Sequence, residues 1–217
     1  MQLPDYQFGV AILAAGASRR MGRPKLLLPW GQTSVLGYLL QKWNQLGAAQ
    51  IAVVCAADAQ PIAAEMDRLN FSSANRIMNP APEAGMFSSI QCAANWAGWQ
   101  PELTHWLITL GDQPHLSTTT LRTLLEFGAR NPNKICQPMR AERRKHPVLF
   151  PKRFFHELKN SNARDLKIFL LEQAVNLSGF ESNDAGLDLD MDTPADYEQA
   201  LEIAFPANAN SSEYLRT

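Results

Sequence analysis

Three short apolar runs, each followed by a stretch of helical periodicity, constrain the fold of this chain more than any other feature. Residues 9–15 read GVAILAA, residues 50–56 read QIAVVCA and residues 105–110 read HWLITL. Near-continuous apolar runs of this length suit strands buried on both faces, which means a parallel sheet covered by helices on either side. The stretches between them carry the helical period. In 34–46, Leu36, Leu39, Leu40 and Trp43 share one face, and Gly47 ends the pattern. Helices are also expected over 60–69, where Pro61 falls in the first turn, and over 87–99 and 118–130, with a weak strand at 74–78.

The second half is less regular. Short strands are expected at 134–137 and 147–150 around a basic loop, 140–145, and helices at 153–158 and 163–172. A strand is expected at 187–191 and a last helix at 194–204, started by Pro194; 206–217, rich in Asn, Ala and Ser, reads as a frayed tail. Strands alternating with helices predict an α/β fold: a doubly wound, mostly parallel, three-layer sheet of Rossmann-like order. At 217 residues the chain has the length of one such domain, taken as 1–205.

Composition excludes several classes. With 46% hydrophobic and 19% charged residues the chain is not a disordered one. A net charge of -1 gives no global basic field, so nucleic acid is not an expected partner. Cys55, Cys92 and Cys136 are odd in number and far apart, which argues against a disulfide framework or a structural zinc and suits a reducing compartment. No run approaches the length of a membrane span and the start lacks a signal-like pattern, so a cytoplasmic protein without a membrane partner is expected.

The chemistry concentrates in three places. Leu13-Ala14-Ala15-Gly16-Ala17-Ser18-Arg19-Arg20-Met21-Gly22-Arg23-Pro24-Lys25 leaves the first strand. Small residues let the backbone approach phosphate oxygens, and Arg19, Arg20, Arg23 and Lys25 can offset phosphate charge. The spacing is neither that of a Walker A loop nor that of G-x-G-x-x-G. On composition alone a basic surface loop is as good a reading; its place at a strand's carboxyl end favours ligand binding. Asp112 follows the third apolar run, where a carboxylate is desolvated unless paired. Leu187-Asp188-Leu189-Asp190-Met191-Asp192 alternates, and as a strand it would set its three aspartates on one face about 7 Å apart in succession. Asp192 or Thr193 before Pro194 is a good helix start, so Asp192 is assigned mainly to capping and Asp190 to chemistry. Two carboxylates from separate strand ends beside a triphosphate loop suit one Mg²⁺, with Mn²⁺ as the alternative.

Together with Gly111-Asp112-Gln113-Pro114 and Asp190-Met191-Asp192-Thr193-Pro194, the first motif resembles the nucleotidyltransferases of molybdenum cofactor maturation. Asn79-Pro80, Gly85-Met86-Phe87-Ser88-Ser89 and His146-Pro147-Val148-Leu149-Phe150 add to the resemblance, which spans roughly residues 8–204. Ala15, where the GTP-using relatives tend to have a second glycine, favours the cytidylyltransferases of the group. The resemblance implies transfer of CMP from CTP to molybdenum-molybdopterin, with release of pyrophosphate. It assigns the nucleotide to Leu13, Ala14, Ala15, Gly16, Ser18, Arg19, Gly22 and Lys25, and to Asn79, Ser88, Ser89 and Asp112. Arg19, Lys25 and Asp112 would act in catalysis, Asp112 and Asp190 would hold the metal, and His146 and Pro147 would face the acceptor. A transient contact with a molybdoenzyme or its chaperone is a further expected partner.

Two departures fall on the acceptor side. Lys145, in the run Arg143-Arg144-Lys145, stands where the family commonly has glycine, and Asn162 precedes the Ala163-Arg164 pair where a glycine is expected. A GTP-using relative, a sugar-phosphate or polyol-phosphate nucleotidyltransferase, and a non-catalytic cofactor carrier therefore stay open as alternatives. Retained Lys25, Asp112 and Asp190 weigh against the carrier.

Overall fold

A computed structural model describes residues 6–16 and 19–206, of residue 19 the backbone only. β1 (Phe8–Leu13) leads through a loop into a small antiparallel hairpin, β2 (Pro29–Trp30) and β3 (Thr33–Ser34), and then α1 (Val35–Gln45). β4 (Gln50–Ala56), α2 (Gln60–Arg68), β5 (Arg76–Asn79), α3 (Met86–Asn95), β6 (His105–Leu110) and α4 (Thr118–Arg130) follow in strict alternation. The second half contributes β7 (Ile135–Arg140), β8 (Arg143–Arg144), β9 (Val148–Pro151), α5 (Lys152–Leu158), α6 (Leu166–Glu172), β10 (Leu177–Glu181) and α7 (Pro194–Ala204).

The main sheet runs β10-β7-β9-β6-β1-β4-β5, with β8 paired to β7. β1 pairs in parallel with both β4 and β6, and β5 extends the parallel part beyond β4. β9 enters antiparallel between β6 and β7. The chain moves outward from β1 to β4 and β5, then returns to place β6 on the other side of β1. This reversal opens a crevice at the carboxyl ends of β1 and β6, the position where open α/β sheets bind ligands.

Alternation along β1 explains the three layers. Val10 and Ile12 enter one core, with Leu36, Leu39 and Trp43 of α1 and Leu121 and Leu124 of α4. Ala11 and Leu13 enter the other, with Phe87 and Ile90 of α3 and Phe154, Phe155 and Phe169 of α5 and α6. The expected doubly wound α/β sheet is the one observed. Trp106 lies in the second core and stacks on Phe155 at 4.7 Å.

Several elements differ from expectation. The helix read over 87–99 ends at Asn95, because Trp96 turns extended and Trp99 folds back so that its Nε1 donates to the Ala93 carbonyl at 2.8 Å. The loop at 140–145 is a tight hairpin carrying β8, with Ala141 and Glu142 at positive φ. β10, unanticipated because its five residues are neither strongly apolar nor alternating, is the edge strand on β7. The strand expected at 187–191 is absent: 185–188 is a 3₁₀ turn and the rest is irregular. Leu187, Leu189 and Met191 are nonetheless buried and Asp188 and Asp190 exposed. The alternation thus reports one covered face without a neighbouring strand: the Gly186 and Leu189 carbonyls bond to His115, and the Met191 N–H donates to the Asp112 carbonyl at 3.5 Å. Of the expected tail, 207–217 lies outside the described residues.

Candidate active site

β1 and β6 meet closely at their carboxyl ends. The Gly111 N–H donates to the Leu13 carbonyl at 3.0 Å, and a Cβ at 111 would stand 2.8 Å from that oxygen. Only glycine fits there, so the loop after β1 and Asp112 are brought side by side. A cleft of about 350 Å³ opens at this junction. Leu13, Ala14, Ala15, Gly16 and Lys25 line one wall, Leu110, Gly111 and Asp112 another, and Pro82, Gly85, Met86 and Ser89 a third. A second hollow of about 650 Å³ shares Ala14, Ala15, Gly16 and Lys25 with it and continues past Gly22, Arg23 and Asp58. Gly22 holds φ +72°, the left-handed turn that returns the loop toward the sheet.

Lys25 is the electrostatic hub. Its Nζ donates to Asp112 Oδ2 at 3.1 Å and to Asp192 Oδ1 at 2.6 Å, while Arg20 pairs with the other oxygen of Asp192. Burial alone would lower the Lys25 ammonium, but its hydrogen bond to Asp192 and the charge of Asp112 outweigh it, and the group is held above its ordinary value. The two carboxylates respond differently. Asp112 lies deeper, and burial, helped by the charge of Asp190, raises its carboxyl despite Lys25. Asp192, at the rim, is held below the usual carboxylate range chiefly by its bond from Lys25.

Asp192 is therefore not the cap it was expected to be. Thr193 caps α7, and Asp196 at the third helical position completes a capping box. Thr-x-x-Asp was visible in the sequence and frees Asp192 for the cleft. Asp190 accepts from Gln113 Nε2 at 2.9 Å, which ties the segment after 188 to the loop after β6. Gln113 was not singled out beforehand; its place beside Asp112 was its only signal.

Asn79 stands under the site rather than in it. It is 1% exposed, and its amide donates to Ser88 Oγ at 2.8 Å and Ser89 Oγ at 2.9 Å. Its carbonyl oxygen accepts from the Ala81 N–H. Ser89 reaches the cleft wall, and Gly85 (φ +96°) starts α3 beside it. His146 is joined to the buried Pro147 by a cis peptide bond, and its buried Nδ1 meets no hydrogen-bond partner among the described residues. Burial depresses this imidazole to about 4, against the pull of Asp190. Ser18 and the side chain of Arg19 lie outside the described residues. Among the described residues no cluster of three or more His, Cys, Asp or Glu gathers, and no helix is long and apolar enough to cross a membrane.

A family model described as the MobA-like NTP transferase domain matches residues 10–176, most of the chain. The molybdenum cofactor cytidylyltransferase of Escherichia coli (strain K12) is 28% identical over 192 residues, covering 88% of this chain and 94% of that protein. The nicotine blue oxidoreductase of Paenarthrobacter nicotinovorans is also 28% identical over 192 residues, covering 84% of this chain and 90% of its own. The Rv0371c protein of Mycobacterium tuberculosis H37Rv, in its crystal structure with manganese, superposes with a TM-score of 0.66 at 28% identity, covering 90% of this chain and 98% of that one.

Proposed function

The chain belongs to the MobA-like NTP transferase family, and from that premise we propose that it transfers CMP from CTP to the terminal phosphate of molybdenum-molybdopterin, releasing pyrophosphate. That it is a nucleotidyltransferase with a nucleotide substrate follows from the family; the cytidylyl and pterin identities are the proposal. The observation that carries it is Lys25 bonded between Asp112 and Asp192 at the mouth of a small-residue loop, in the crevice between β1 and β6. The likeness to the Escherichia coli cytidylyltransferase supports the choice of nucleotide and acceptor.

A phosphate nucleophile is already ionised near neutral pH, so the reaction needs no general base. An oxygen of the acceptor phosphate forms the new bond to the α-phosphorus. The bond from the α-phosphorus to the bridging oxygen breaks, and its electron pair leaves with pyrophosphate. His146, depressed to about 4, is neutral at pH 7 and does not change charge in that range. The work left to the protein is positioning and charge neutralisation. Lys25 offsets triphosphate charge, the backbone from Ala14 to Gly16 allows close approach, and Ser89 with the start of α3 closes the opposite wall.

Asp112 and Asp190 fit a divalent cation. Both offer hard oxygen ligands, and burial together with the charge of Asp190 leaves Asp112 with a raised carboxyl, an arrangement that added positive charge relieves. When bound, Mg²⁺ or Mn²⁺ would supply charge neutralisation at the triphosphate.

Two measurements test the reading. Calorimetry of CTP, GTP, ATP and UTP with Mg²⁺ is expected to rank CTP first; a preference for GTP would redirect it to the guanine dinucleotide. Asp112→Ala is expected to remain folded by circular dichroism and to lose at least about 100-fold in pyrophosphate release. Turnover near wild type would sink the metal assignment. A second reading, oxidoreduction, draws on the likeness to nicotine blue oxidoreductase. It predicts turnover that releases no pyrophosphate, so one pyrophosphate assay separates the two.

A further inference from the structure

The two acidic segments of the site are joined by a brace that ends in a buried lysine. Lys42 projects from the last turn of α1 and is 6% exposed. Its ammonium donates to the Pro114 carbonyl at 2.8 Å and to the Leu116 carbonyl. Both belong to the loop that carries Asp112 from β6 to α4. Between those two residues stands His115, 3% exposed, whose Nε2 lies 3.1 Å from the Gly186 carbonyl and 3.0 Å from the Leu189 carbonyl. Two carbonyl acceptors require the proton on Nε2, so the ring is a fixed donor. Those carbonyls belong to the segment that presents Asp190. The fit is close: a Cβ at Gly186 would stand 2.9 Å from the His115 ring.

We propose that Lys42 is a positioning residue for the acidic site: it clamps the 114–116 turn and, through His115, sets where Asp112 stands relative to Asp190. The inference rests on the nucleotidyltransferase reading with these two carboxylates as metal ligands. A helix would ordinarily bury an apolar residue here, and Leu39, Leu40 and Trp43 around Lys42 do so. An ammonium instead offers donors that reach two carbonyls of one turn, which no apolar side chain can. The groups facing it are the Tyr38 ring, centred 5.0 Å from Nζ, Asp184, which attracts it, and neutral His115. Further ties cross between the same two segments, from Gln113 to Asp190 and from the Ser117 N–H to Asp184 at 2.9 Å, so movement of the turn is transmitted to the carboxylates.

The test is Mn²⁺ binding in the presence of CTP, read by electron paramagnetic resonance, on the full chain. Lys42→Met keeps the length of the side chain and removes its donors; Leu36→Ala, in the same helix, serves as a control that loses stability and removes no hydrogen bond to the turn. Lys42→Met is expected to weaken Mn²⁺ about 10- to 100-fold, the usual effect of removing an outer support of a metal ligand. The Mg²⁺ concentration giving half-maximal rate should rise in parallel, while Leu36→Ala leaves both unchanged. Equal Mn²⁺ affinity in Lys42→Met and wild type overturns the proposal. Should Lys42→Met fail to fold, His115→Leu breaks the same brace at its other end and must show the same loss. A wild type that binds no Mn²⁺ with any NTP overturns the parent reading as well, and is thereby distinguished from failure of the brace alone.

Discussion

At the residue scale, the site is governed by how deep each charge sits. Lys25 is held charged by two carboxylates, and its removal leaves Asp112 and Asp192 facing each other without their shared cation. Lys25→Met is expected to cut turnover about 100- to 1,000-fold, measured as pyrophosphate release at saturating nucleotide. Lys42 is the opposite case. Burial pulls its ammonium from 10.5 down to about 8, so the charged form is a burden on the folded state at neutral pH. Between pH 8 and 10.5 the unfolded chain holds a proton that the folded one has released. The wild type therefore gains stability as pH rises through that window, by about 3 kcal/mol in full, and loses it again as pH falls through 8. Paired melts of wild type and Lys42→Met from pH 7 to pH 10 should diverge in favour of the wild type. Parallel curves would mean that Lys42 is not desolvated as its burial indicates.

At the element scale, α7 shows how a helix start and a site residue share one short segment. Thr193 and Asp196 complete the capping box, and Tyr197, one residue on, donates its hydroxyl to the Pro29 carbonyl of β2. Thr193→Ala removes the cap and is expected to cost about 1 kcal/mol, a fall in melting temperature of about 2–4 °C for a chain of this size. Because Asp192 immediately precedes the cap, the same substitution should also weaken nucleotide binding, which calorimetry would register. A lowered melting temperature with unchanged binding would show that Asp192 is held by Lys25 and Arg20 alone. The 185–192 segment makes the same point from the other side: its apolar residues pack inward as a strand's would, yet its hydrogen bonds include side-chain ones from His115 and Gln113.

At the scale of the whole molecule, the cleft depends on the register of β1 against β6, which two cores hold from opposite faces. Leu107, fully buried at the middle of β6, packs in the core beneath α1 and α4. Leu107→Ala is expected to destabilise by about 2–5 kcal/mol, the range for a large-to-small change in a core. Denaturant unfolding would measure it, and a loss under 1 kcal/mol would mean that the sheet closes over the cavity. The central strands and the helices packed on them were legible in the sequence because buried parallel strands and amphipathic helices write their burial into local periodicity. That the loop after β1, Lys25 and Asp112 would meet at the carboxyl ends of the central strands was legible for a related reason: each directly follows or closes a loop that follows an apolar run. What local pattern could not decide were contacts between residues far apart in the chain. The alternation at 187–191 determined which side chains are buried but not that the segment itself is a 3₁₀ turn and irregular chain rather than a strand. The choice of Asp192 over a cap, the pairing of Gln113 with Asp190, and the reach of Lys42 from α1 to the 114–116 turn join positions about 70 or more residues apart. Periodicity carries no trace of such pairs, since each is set by where the folded sheet brings two distant segments together.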